Sequence, residues 1–397
     1  MSDSSSTTPV PPPGAPATLA EIVAHKRVLV CVGSGGVGKT TLAAAIAVHA
    51  ATEGRKVVVC TIDPARRLAN SLGLTELGNV ETRVPPEKLA AGGVEAKGEL
   101  YAMMLDLKRS WDDFILRHAP PERRDAILQS RFYQQLSSAL IGSQEYVAME
   151  KMVELAESRD YDLLVLDTPP TTNALDFLDA PNRVLDFFGD DTVRFMLAPA
   201  LKAGKVGLRM FHLTGGYFVK TLSRFTGMEV LQELSEFLLS LAPMYEVFKR
   251  RAQQVKEMLA SPRSGFVLVT SPSTLTVDEA IYFHTLLRQD GMPVAAVVAN
   301  RVHPHVEPAG AGGLDPAKVQ ALAQVLQGAD AGSFPEGPHA RLSQALSEAQ
   351  LLAELDEAEV RRLAEACAPT PLVAVPRFDA DVYDVAGLRE LNRHLFG

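Results

Sequence analysis

One short segment constrains this chain more than any other. Residues 33–41 read Gly33-Ser34-Gly35-Gly36-Val37-Gly38-Lys39-Thr40-Thr41, after an apolar β-branched run at 27–32 (RVLVCV) and before a helical pattern at 40–52. A chain that leaves a buried strand, turns through glycines and enters a helix gathers backbone N–H groups at the turn and at the helix N-terminus, where they attract anions. Residues 33–40 match Gly-x-x-x-x-Gly-Lys-Ser/Thr in full, in the strand–loop–helix setting that gives the pattern its meaning. On this reading Lys39 reaches the β- and γ-phosphates of ATP, and the Thr40 hydroxyl ligates Mg²⁺. A rival exists: Gly33, Gly35 and Gly38 also fit Gly-x-Gly-x-x-Gly, and Asp63 ends the next apolar run, as in a dinucleotide site. That pattern gives no reason for Lys-Thr straight after the last glycine, whereas the phosphate loop requires both.

Further short apolar runs lie at 56–62, 100–107, 162–166, 265–270, 294–299 and 371–375, separated by helical patterns. Runs with little alternation suit strands covered on both faces. The expectation is an α/β fold, a doubly wound and mostly parallel sheet of the P-loop NTPase kind, over residues 21–397. Two intervals, 109–160 and 183–260, are too long for simple crossovers and read as an inserted α-helical subdomain. A helix is expected at 340–366. The Ser/Thr/Pro-rich stretch 1–20 reads as a disordered leader, since it has little apolar surface to offset ordering entropy.

Composition narrows the functional classes. A net charge of −9 over 397 residues leaves no electrostatic footprint for nucleic acid. Three cysteines without a CxxC spacing argue against a disulfide framework or a structural zinc. No segment approaches the roughly 18 apolar residues of a transmembrane helix, and the N-terminus lacks a signal-peptide pattern. The chain is expected to be cytoplasmic and not itself transmembrane.

Two carboxylates stand at strand ends, Asp63 in Asp63-Pro64-Ala65 and Asp167 in Asp167-Thr168-Pro169-Pro170. In a doubly wound sheet the strand C-termini share one edge with the glycine loop. Asp167 is positioned to hold Mg²⁺ through water, and Asp63 to orient the water that attacks the γ-phosphate. The plainer alternative is that each caps a turn or a following helix.

GGVGKTT, then DPA after the second strand, then DTPPT after a later one, resemble the ArsA family: the arsenite-pump ATPase and the escort ATPase of tail-anchored proteins. Partition and septum-site ATPases are more distant. The likeness spans about residues 26–397 and suggests a bacterial member. It implies an ATPase, converting ATP and water to ADP and phosphate, with nucleotide bound at the interface of a dimer. It further implies that Asn300-Arg301 reads adenine, that a loop beginning at Pro376 covers it, and that 63–73 and 167–180 are nucleotide-sensing switches.

Four departures matter. The family usually has a lysine after the first glycine that reaches the partner's nucleotide; here it is Ser34. A homodimer would then lack that cation or draw it from Arg66 or Arg67, whereas a heterodimer with a Lys-bearing paralogue would regain it. Arg66 stands where the family usually has His. The escort's CxxC is missing. No cysteine cluster suits arsenite, because Cys31 and Cys60 fall on core strands. Between 185 and 248 a set including Phe187, Met196, Met210, Met228, Phe237 and Met244 reads either as a groove for a hydrophobic client or as ordinary core and interface. His303 and His305 read as a solvated loop rather than a metal pair, and Trp111 as packing. The leading function is an ATP-hydrolysing dimeric switch coupled to a hydrophobic client or membrane partner. The alternatives are a regulatory ATP-binding subunit with weak hydrolysis, an arsenite- or anion-pump motor, and a positioning ATPase.

Overall fold

A computed structural model describes residues 18–62, 66–134, 143–158, 160–168, 240–305 and 338–397, together with Glu233, Glu236 and Phe237. Eight strands form one sheet in the order β3-β4-β2-β5-β1-β6-β7-β8. They are β1 Val28–Val32, β2 Lys56–Thr61, β3 Thr82–Arg83, β4 Glu99–Met104, β5 Leu163–Asp167, β6 Ser264–Thr270, β7 Val294–Val302 and β8 Leu372–Pro376. Every pairing is parallel except that of β3 with β4. The expected doubly wound, mostly parallel α/β fold is therefore present. All seven anticipated strands occur; the added one is the two-residue edge strand β3, whose exposed Thr and Arg carry no apolar signal.

Because side chains alternate across a pleated strand, β1 feeds two cores. Val28, Val30 and Val32 point into one and Leu29 and Cys31 into the other. On the Leu29 side lie α1 (Leu19–His25), α2 (Lys39–Thr52), α3 (Arg67–Ser71) and α4 (Pro86–Ala91). Helix α2 is alanine-rich and buried all round, including Ala43, Ala44, Ala45, Ala47, Ala50 and Ala51. Its side chains are small enough for it to run close between the sheet and a C-terminal helix, whose Asn392 side chain donates to the Ala45 carbonyl at 3.1 Å.

The Val28 side is built from larger residues. It is covered by α5 (Leu107–His118), α6 (Pro121–Leu128), α7 (Ser143–Ser158), α8 (Tyr245–Ala260), α9 (Thr274–Gln289) and α10 (Pro338–Cys367). Trp111 is buried and stacks on Tyr146 at 5.7 Å, as the packing reading expects. Arg251 on α8, also buried, forks onto Glu150 of α7 through Nε at 2.8 Å and Nη2 at 2.6 Å. Helix α11 (Val385–Phe396) closes the chain on the α2 side, its N-terminus capped by Asp384.

Candidate functional site

The sheet order fixes where a ligand can sit. From β1 the chain crosses toward β2, and from β6 it crosses toward β7, on the opposite side. The crevice beyond the C-terminal ends of β1 and β6 is thus a topological switch point, where open α/β sheets bind ligands. The glycine loop leaves β1 at this point. Residues 271–273, leaving β6, line the same cleft, whose volume is about 990 Å³.

The loop geometry explains its glycines. Gly36 has φ 77° and Gly38 φ 101°, values that side chains resist. A Cβ on Gly33 would run into the Val269 carbonyl, and one on Gly38 into the Asn300 side chain. Gly38 caps α2 without a side-chain hydrogen bond, and the first turn holds no acidic residue. The N-terminal end of a 14-residue helix therefore faces the cleft with its positive dipole end uncompensated by any side chain of that turn. Lys39 is buried and folds back so that Nζ donates to the Ser34 carbonyl at 2.7 Å. Thr40 and Thr41 line the cleft beside it.

The remaining anticipated residues fall into three groups. Asn300, Arg301 and Pro376 line the same cleft as Lys39. The Asn300 amide donates to the Val37 carbonyl at 2.8 Å, and Arg301 Nη1 to the Gly36 carbonyl at 3.1 Å. Arg301 has φ 65°, and there the β7–β8 register shifts, turning the chain onto the loop. Asp167 is buried at the end of β5, level with Thr61 and Cys31, and accepts the Thr61 hydroxyl at 2.8 Å. Burial above all, reinforced by Asp167, pushes the Cys31 thiol up, so it stays neutral beneath the loop. Gly35 is exposed, and the Ser34 hydroxyl donates to Glu279 of α9. Asp63 lies outside the described residues, as do positions 187–228 of the Met/Phe set, whereas Phe237 and Met244 are buried in the core.

The donor set fits an Mg²⁺–nucleotide. It offers glycines packed against Val269 and Asn300, a buried lysine, a helix N-terminus and, on Thr40, a hard hydroxyl oxygen of the kind Mg²⁺ takes, while the Asp167 carboxylate is buried at the end of β5 next to Thr168, which lines the cleft. Arg67 also borders the cleft, at the start of α3. The joining of three residues went unforeseen. His303, read as solvated loop, is bonded to Asp356 of α10 and to Arg377, and all three line the cleft. The HxH spacing pointed to a loop or a metal, and the loop beginning at Pro376 to the nucleotide base; neither pointed to a partner on a distant helix.

A doubly wound sheet whose central strand runs through a glycine loop with Lys-Thr into a helix defines a P-loop nucleotide-binding protein. The profile of the anion-transporting ATPase family, ArsA, matches residues 26–311, and the chain belongs to that family. It is similar to ATPase GET3C of Arabidopsis thaliana, 26% identical over 73% of each chain. It is also similar to a putative arsenical pump-driving ATPase 1 of Aquifex aeolicus, 24% identical over 70% of this chain and 64% of that one. ATPase GET3 of Malassezia globosa is 30% identical over 42% of this chain and 46% of that one. The chain thus spans less than two thirds of the last two relatives. No helix among the described residues is long and apolar enough to cross a membrane.

Proposed function

We propose that this chain binds Mg²⁺–ATP in the cleft at the β1/β6 switch point and hydrolyses it, as a cytoplasmic dimeric switch. The observation that carries the reading is that a single cleft joins the glycine loop and Lys39 to Asn300, Arg301 and Pro376, which lie far apart in sequence. The loop amides, the α2 N-terminus and Lys39 would hold the phosphates; Lys39 would leave the Ser34 carbonyl to do so. Thr40 would hold Mg²⁺ directly and Asp167 through water, with Thr61 fixing the Asp167 carboxylate. The bound metal supplies charge neutralisation at the phosphates. Asp63 would orient the attacking water. Asn300 and Arg301 would meet the base, and the segment starting at Pro376 would cover it. Catalysis then comes from positioning and fixed charge, since phosphoryl transfer asks little covalent chemistry of the protein.

A second reading, a regulatory subunit of a heterodimer, is favoured by Ser34. Its hydroxyl is engaged by Glu279 of the same chain, where the family usually has a lysine that crosses to the partner. The dimer and the hydrophobic client rest on the resemblance to the ArsA family set out above, and the name of the Aquifex relative, an arsenical pump-driving ATPase, supports the alternative of a motor for a pump. Single-turnover ATP hydrolysis, with native mass measured on the same sample, tests these readings. Hydrolysis by a dimer of this chain alone supports the switch. Binding without hydrolysis until a Lys-bearing paralogue is added supports the regulatory subunit. Absence of nucleotide binding in both samples overturns both.

A further inference from the structure

The rim of the cleft holds one side-chain assembly that the proposed chemistry leaves unused. At the exit of β7, the backbone N–H and Nδ1 of His303 both reach Asp356 Oδ2, at 2.8 and 2.7 Å. Asp356 is buried on α10. On the other side of the ring, Nε2 lies 3.0 Å from Arg377 Nη1. A guanidinium can only donate and a carboxylate only accept. The ring between them is therefore neutral, with its proton on Nδ1 and its acceptor lone pair turned to Arg377. Arg377 begins the segment after β8, and its backbone N–H donates to the Val302 carbonyl at 2.8 Å. His303, Arg377, Pro376 and Phe378 all line the nucleotide cleft.

We infer that neutral His303 is a positioning residue for the nucleotide: by accepting a hydrogen bond from Arg377 it holds the rim that follows β8 in its binding shape. This rests on the nucleotide reading proposed above. A proton on Nε2 would turn that acceptor into a donor and set a second positive charge against the guanidinium. The charges around the ring divide. Asp356 on α10 balances an imidazolium, Arg301 on β7 and Arg377 oppose it, and Asp379 and Asp381 stand farther along the same rim. Asp356 can hold the protonated ring in place, so the group that gives way is the exposed Arg377.

Calorimetric titration of the full chain with Mg²⁺–ADP, at about pH 8 and about pH 5.5, tests this in wild type, His303→Asn and Arg377→Ala. Asparagine keeps a donor for Asp356 and lacks the Nε2 acceptor; the exposed Arg377 provides a second variant should position 303 not tolerate change. Protonation of the nucleotide itself is common to all three proteins and cancels in the ratio of their dissociation constants. The expected result is that the wild-type constant rises about tenfold more on acidification than that of either variant, the scale of one charge-assisted hydrogen bond. Both variants should bind at about pH 8 as weakly as acidified wild type. Parallel titration of the three proteins overturns the positioning role and leaves the nucleotide reading intact. Failure of wild type to bind Mg²⁺–ADP at either pH overturns the nucleotide reading, and this inference with it.

Discussion

Lys39 and Gly38 are adjacent residues with opposite demands. Lys39 is buried, and its ammonium already rests on a loop carbonyl, so it sits at the floor of the cradle before any phosphate arrives. Lys39→Ala is expected to lower single-turnover hydrolysis by at least about 100-fold, the cost of removing one fixed charge from a developing oxyanion; a rate within a few-fold of wild type would remove Lys39 from the mechanism. Gly38 serves through what it lacks. At φ 101°, with the Asn300 amide where a Cβ would go, Gly38→Ala faces backbone strain of about 1–3 kcal/mol and displaces Asn300 from the loop. Urea unfolding and nucleotide titration on the same variant should both register the change, with the binding loss extending to the base end of the cleft.

Among the elements, α7 and α8 are joined by a buried ion pair. Both Arg251 and Glu150 are nearly inaccessible, and Glu157 takes a third contact from the same guanidinium at 2.9 Å. Arg251→Ala should cost about 3–5 kcal/mol in urea unfolding because it strands Glu150, whereas Glu150→Met with Arg251→Met should recover most of that loss. Equal losses in the single and double variants would show that packing, not charge, dominates. The strands were legible because each carries an unbroken apolar run, and the glycine loop because Lys39-Thr40 completes its pattern. Strand β3 was not, since two exposed residues at an edge leave no hydrophobic trace. The His303–Asp356–Arg377 assembly was invisible for a different reason. Its members lie on a strand end, mid-helix and in a loop, 53 residues separating the first two and 74 the first and last. Only the fold of α10 against the β7 exit brings them together. The Ser34 substitution could be seen in sequence, but its Glu279 partner could not.

At the scale of the whole molecule, three histidines share one electrostatic fate. His49 lies against Phe396, His118 ends α5 close to three arginines, and His284 is buried on α9. Burial first, with neighbouring arginines adding to it for His118 and His284, lowers all three from the ordinary 6.5. A base with a depressed folded-state pKa binds fewer protons when folded than when unfolded. Stability should therefore hold above 6.5 and fall as the pH drops below that value toward the folded-state pKa values. Urea midpoints at about pH 7.5 and 5.5 check the sign, and His284→Gln should shallow the slope; a midpoint that is flat or rises on acidification would contradict it. The two sides of the sheet will also age differently over evolutionary time. On the aromatic side, volumes can be traded between neighbouring large side chains, so drift there has many routes. Along α2, whose alanines are buried between sheet and α11, an added carbon overpacks the core, and the helix behind the phosphate loop should be less free to vary than the aromatic side.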